Sequence, residues 1–186
     1  MEGDVVDLIM QDHREVERLF DELKEHPEKR ELLVPTLTAL LTAHSRAEEA
    51  EVYPVARNEA GEAEEVAHSQ EEHAEAERLL ARLAEMEPRS AAFDEALSEL
   101  VEAVTHHVEE EETTVLPGMR ERLDDERRAE LGRAFATSRE QHMGERPGEA
   151  TREELLLQAR NAGISGASTM SKAELAKELN KQTSGS

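Results

Sequence analysis

Two histidine–glutamate pairs, His44 with Glu48 and His107 with Glu111, set the chemistry this sequence can support. In each pair the residues are four apart, so on a helix both side chains leave one face, one turn apart. Two more histidines, His13 and His73, precede the pairs. Apolar residues in register put all six on core faces. Leu33, Leu37 and Leu40 run into His44, and Glu48 runs on toward Val52; Leu100 precedes His107, and Val115 follows Glu111. An unpartnered carboxylate buried there costs on the order of several kcal/mol, and no Lys or Arg lies on those faces to offset it. Metal cations resolve the conflict. Imidazole with carboxylate suits iron, manganese or zinc, and duplicated carboxylates suit a two-metal site.

The pattern is an internal duplication. AHSRAEEAEVYP, ending at Pro54, aligns without a gap on HHVEEEETTVLP, ending at Pro117. His44, Glu48, Glu49 and Val52 then match His107, Glu111, Glu112 and Val115. The preceding segments match too. His13 is followed at +3, +7 and +10 by Val16, Phe20 and Leu23, and His73 by Ala76, Leu80 and Leu83. An acid, Asp12 or Glu72, stands before each of these histidines. The chain therefore contains two copies of one helical hairpin. A lone buried histidine is more often a hydrogen-bonded core residue than a ligand; four at repeated offsets beside two glutamates favour metal.

The elements that must position these residues follow from the period of the apolar residues. Helices are expected over about 4–25, 29–58, 62–87 and 90–116, with Pro35 in or near the first turn of the second, and Pro117-Gly118 ending or kinking the fourth. Pro54 disfavours helical geometry at Tyr53. A fifth helix spans roughly 124–141. Short connections favour antiparallel neighbours, so the fold class is all-α: an up-down four-helix bundle. Residues 1–143 form the bundle with its trailing helix, and 144–150 (GERPG within it) a linker. Residues 151–186 form a two-helix module with a short disordered tail.

Other polar residues have weaker claims. His68 precedes His73 by five residues, about 140° around the helix; it reads as exposed or as an additional ligand. Tyr53, the single tyrosine, reads as core packing or as a hydroxyl near the metals. Glu49 and Glu112 read as solvated or as supports behind the ligands, and a helix distortion would exchange Glu112 for Glu111. His106 is about 100° from His107 and has no counterpart in the first hairpin; it reads as surface or support. His26 and His142 read as surface residues.

Composition narrows the function classes. The net charge of -22 repels nucleic-acid phosphates and anionic membranes and attracts cations. Aromatic residues are 2%, so the core is aliphatic. The absence of cysteine excludes disulfides, thiolate nucleophiles and Cys-based zinc sites. The opening residues lack the signature of a signal peptide, and no run of roughly 18 apolar residues offers a membrane span, so a cytoplasmic location is expected. From Ala150 on, five basic and four acidic residues give +1, which leaves -23 for the part before it.

At this point the sequence resembles the hemerythrin-like, or HHE cation-binding, family over about Val5 to Leu116. The resemblance rests on His13, His44-x-x-x-Glu48, His73 and His107-x-x-x-Glu111, with a proline after each pair. It implies a non-haem di-iron centre, two iron ions with an oxo or hydroxo bridge. Glu48 and Glu111 would be bridging carboxylates and His13, His44, His73 and His107 terminal ligands. Oxygen-carrying members have a histidine one turn before the third-helix ligand, where this chain has Ser69, with His68 one residue back. They commonly place the last carboxylate five residues after its histidine, here Glu112. These departures move the expectation from oxygen carriage to reaction with O2, peroxide or nitric oxide in oxidative or nitrosative stress. An iron or oxygen sensor or an iron store acting through partners is the alternative; a structural zinc bundle is a third, and no nucleophile signature favours a hydrolase. Residues 151–180 are similar to SAP and Rho N-terminal modules, through Glu154-Leu155, Ala162-Gly163-Ile164, Gly166 and the Ser171–Glu174 capping box. That likeness implies nucleic-acid binding or protein docking by the tail.

Overall fold

The computed structural model describes residues 3–183. Among them every regular element is helical. Helix α1 spans Val5–Glu25; after a 3-10 turn at Pro27–Lys29 come α2 (Arg30–Ala47), a π-helical segment (Glu48–Val52) and α3 (Tyr53–Asn58). Then follow α4 (Ala63–Ala84), α5 (Ala91–Thr113), α6 (Val115–Arg122) and α7 (Asp125–Gln141). The C-terminal part holds α8 (Arg152–Asn161) and α9 (Lys172–Thr183). Short polar side chains start several of these helices by accepting an orphan N–H: Asp4 for α1, Ser90 for α5 and Asp124 for α7.

Helices α1, α2, α4 and α5 form the bundle, α1 and α4 each packing on both α2 and α5. Two apolar layers fill it. One is built on Phe20, Leu37, Leu80, Phe93 and Leu100. The other is built on Ile9, Val52, Val66, Leu116 and Phe135. The four histidines of the duplicated pattern fall between the layers. Helix α7 closes the outside of α1 and α2. Its close approach needs Gly132, where a Cβ would collide with the Gly3 carbonyl oxygen.

Several expectations require correction. Pro35 lies six residues into α2, past its first turn. The second long helix changes hydrogen-bond pattern at Glu48, where the π segment begins. The fourth breaks at Thr114 (φ -122°, ψ -72°), and Pro117 and Gly118 sit inside α6. There Pro117 occupies the first turn, where no intrahelical N–H is needed. Helix α9 is capped as Ser171 and Glu174 foretell, with reciprocal bonds of 2.7 and 3.2 Å, and Thr151 with Glu154 forms the same box at the start of α8. Both helices pack on α4, and α8 also packs on the π segment. The tail expected to be disordered falls partly at 184–186, outside the described residues. Among the described residues no helix is long and apolar enough to cross a membrane.

Leu37 is fully buried in the first apolar layer. Leu37→Ala should lower the free energy of unfolding by about 3 kcal/mol, through lost transfer energy and the cavity left behind. Urea denaturation measures it; a loss below about 1 kcal/mol would contradict the packing.

Candidate metal centre

The six residues of the duplicated pattern meet in the layer between the apolar clusters. They are 0–6% exposed: Glu48 and Glu111 0%, His13 2%, His44 and His73 3%, His107 6%. Two groups of potential ligand atoms form there, His13–His44–Glu48 and Glu48–His73–His107, with the atoms of each group within 4.8 Å of one another. Each group takes its histidines from one hairpin, and Glu48 belongs to both. Its Oε1 lies 3.3 Å from His44 Nε2 and its Oε2 3.1 Å from His73 Nε2. Glu111 spans the groups from the other side, with Oε2 3.2 Å from His13 Nε2 and 3.7 Å from His107 Nε2.

These atoms are poorly served by hydrogen bonds. His13 Nε2, His44 Nε2, both oxygens of Glu48 and Glu111 Oε2 are buried without a hydrogen-bond partner. Unsatisfied buried polar atoms are rare in folded proteins. Five of them converging from two imidazoles and two carboxylates fit a pair of cations.

The opposite nitrogens carry the support. His13 Nδ1 donates to Glu112 (2.8 Å), His44 Nδ1 to Asp12 (2.9 Å) and His73 Nδ1 to Glu49 (3.2 Å). His107 Nδ1 faces Glu72 Oε1 at 3.6 Å. A carboxylate behind a ligating imidazole fixes its tautomer and raises its basicity. The duplication extends to this layer. Asp12 and Glu72, each standing before a histidine, serve the other helix of their own hairpin. Glu49 and Glu112 serve the opposite hairpin. Arg139 of α7 also bonds Asp12, and Phe135 packs edge-on against His44, with ring centroids 5.7 Å apart.

Tyr53 reaches the centre for a reason other than the expected one. Its backbone is helical (φ -62°, ψ -39°). The π segment does the turning: Tyr53 N–H bonds Glu48 O five residues back, and the extra residue shifts the phase of the helix. The buried hydroxyl donates to Glu111 Oε1 (3.2 Å) and lies 2.9 Å from His73 Nε2. In the same pattern Glu49 O would accept from residue 54, a proline without an N–H. Asn161 Nδ2 of α8 takes that carbonyl at 2.9 Å, and Gln158 Nε2 donates to Glu49 Oε2 at 3.0 Å. Beside them Arg46, 2% exposed, pairs with Glu49, Glu77, Glu145 and Glu154. Nothing in the sequence marks Arg46, because a buried arginine amid four separated glutamates leaves no local pattern.

The remaining candidates lie elsewhere. His68 is at the surface, 54% exposed, 2.7 Å from Glu110 and outside both buried groups. Ser69 is buried but has no ring to offer. Glu112 stands behind His13 while Glu111 points inward. His106 is exposed and donates to Glu72. His26 pairs with Glu28 and His142 with Glu145.

A bundle that gathers repeated histidine and glutamate side chains into one buried layer defines a class of cation-binding helical proteins. The chain belongs to the hemerythrin HHE cation-binding family, whose domain matches residues 4–118. It is also similar to a DNA nickase from Nostoc sp. (strain PCC 7120 / SAG 25.82 / UTEX 2576), 30% identical over 149 residues. The alignment covers 79% of this chain and 42% of that protein, so the chain spans less than half of its relative's length. No solved structure matches the chain.

Without metal, protons balance the centre. Burial opposes charge on His44 and His73, but Glu48 with Asp12, and Glu48 with Glu49, raise both from 6.5 to about 10. A raised histidine contributes its full stability below its unfolded value and loses it as pH rises through its folded value. The melting temperature of metal-free protein should therefore fall between pH 7.5 and 10. Divalent ions, which must displace those protons, should bind more tightly over the same range. Calorimetric scans with and without metal measure both; a pH-independent metal-free melting temperature would contradict the proton-balanced centre.

Proposed function

We propose that the chain holds two iron ions in this layer and reacts with a small oxidant: dioxygen, peroxide or nitric oxide. His13, His44 and Glu48 would hold one ion and Glu48, His73 and His107 the other, with Glu111 facing both. Bound iron would supply the one-electron chemistry with the oxidant. The chain's own residues do the rest. Asp12, Glu49, Glu72 and Glu112 orient the imidazoles, the apolar layers exclude water, and Tyr53 holds a proton beside Glu111 and His73. Burial pushes the Tyr53 hydroxyl well above its usual pKa, with Glu111 and Glu48 adding to the effect, so that proton stays in place at neutral pH.

The observation that carries the reading is the burial of all six ligand side chains, 6% exposed or less. A molecule of two non-hydrogen atoms can enter such a layer by small fluctuations. A DNA phosphate cannot reach it without opening the bundle, and the net charge of -22 repels DNA from most of the surface. The relative's name alone therefore does not carry phosphodiester chemistry to this centre. Nucleic-acid binding by α8 and α9 would be separate from it.

Protein expressed with ample iron should contain two irons per chain and absorb near the ultraviolet edge, with a visible change on adding peroxide. The double substitution Glu48→Gln and Glu111→Gln should lose at least one iron and that response. Colourless, iron-free wild-type protein would sink the proposal.

A second reading, an iron or oxygen sensor, draws on the contacts of Glu49. This residue bonds His73 on one side and Gln158 and Asn161 of α8 on the other. A change at the centre could thus alter the seating of α8 and α9 and what they present to a partner. Iron loading should slow amide hydrogen exchange across residues 152–183. Equal exchange rates with and without iron would leave this reading without support.

A further inference from the structure

Outside the buried centre, helices α4 and α5 carry a second crossing of two histidine–glutamate pairs. His68 and Glu72 are four residues apart on α4, and His106 and Glu110 four apart on α5. Their side chains meet across the helix interface. His68 Nε2 lies 2.7 Å from Glu110 Oε2 and 3.6 Å from Glu72 Oε1. His106 Nδ1 lies 2.8 Å from Glu72 Oε2, and its Nε2 3.5 Å from Glu110 Oε1. Each histidine therefore faces both glutamates.

We propose that His68, Glu72 and Glu110, whose ligand atoms lie within 4.8 Å of one another, form a third cation site beside His106, open to solvent, that takes a divalent first-row transition ion such as Fe²⁺ or Zn²⁺. An imidazole with two carboxylates, and a second imidazole hydrogen-bonded to Glu72, matches the ligand preferences of those ions, whereas Ca²⁺ and Mg²⁺ favour all-oxygen sets. Glu72 supplies a second observation. Its Oε1 is buried without a hydrogen-bond partner and stands 3.6 Å from both His68 Nε2 and His107 Nδ1. Arginines in the adjoining groove do not neutralise the pair: Arg82 is joined to Glu99, and Arg78 donates to Thr183. The two histidines are more than half exposed and Glu110 39%, so an ion can enter and leave directly. Through Glu72 the site touches the outer nitrogen of His107.

The test reads a difference between two proteins that share the buried layer unchanged. The full-length chain, purified with its resident metal, is titrated with Co²⁺ by calorimetry and visible absorption. A His68→Gln/His106→Gln variant is treated alike, with circular dichroism confirming its fold. The wild type should bind one Co²⁺ per chain more than the variant, with a d–d absorption that the variant lacks. Equal stoichiometry and equal spectra would overturn the site and leave four residues joined only as ion pairs.

Discussion

Two carboxylates in the middle of an aliphatic core govern this structure. Glu48 and Glu111 are fully buried, and the nearest buried arginine, Arg46, is committed to Glu49 and three other glutamates. Their charge must be balanced by groups within the layer. His44 and His73 can do so by holding protons, since the carboxylates around them raise both to about 10, or the imidazoles can share cations with the carboxylates. Protons and cations compete for the same atoms. The bundle around them keeps water out and thereby keeps that competition strong, because charge interactions weaken steeply when solvent enters.

Much of this was legible in the sequence because it follows helical periodicity. A histidine and a glutamate four apart, in line with leucines, are fixed to a core face by the 3.6-residue turn alone. The duplication then showed that two such faces must meet. What stayed hidden depends on partners far along the chain. The π segment adds one residue to a turn and so shifts every side chain after it, which brings Tyr53 inward although, nine residues past His44, an ideal helix would put it on the opposite face. Asp12 and Glu72 were visible as repeated acids, but their service to histidines on a neighbouring helix emerges only when the helices pack. Arg46 is another such case, since its four acidic partners lie at the π segment, on α4, in the linker and on α8.

The docking of α8 has the same origin. Pro54 removes the N–H that would have closed the Glu49 carbonyl, and burial there demands a substitute. Asn161 provides it from more than a hundred residues away. A backbone irregularity beside the centre is thus the seat of the C-terminal helices. The sequence marks their composition and caps clearly and gives no sign of where they bind.

The duplication also ends unevenly. In the alignment of the two hairpins the partner of Tyr53 is Leu116, an apolar residue in the same core layer, and Phe135 lies against His44 alone among the four histidines. One half of the centre is therefore faced by a phenol and the other is walled with hydrocarbon. A guest held between the halves would find a proton within reach at one of its ends only. Two copies of a single hairpin have in this way become a cage with a front and a back.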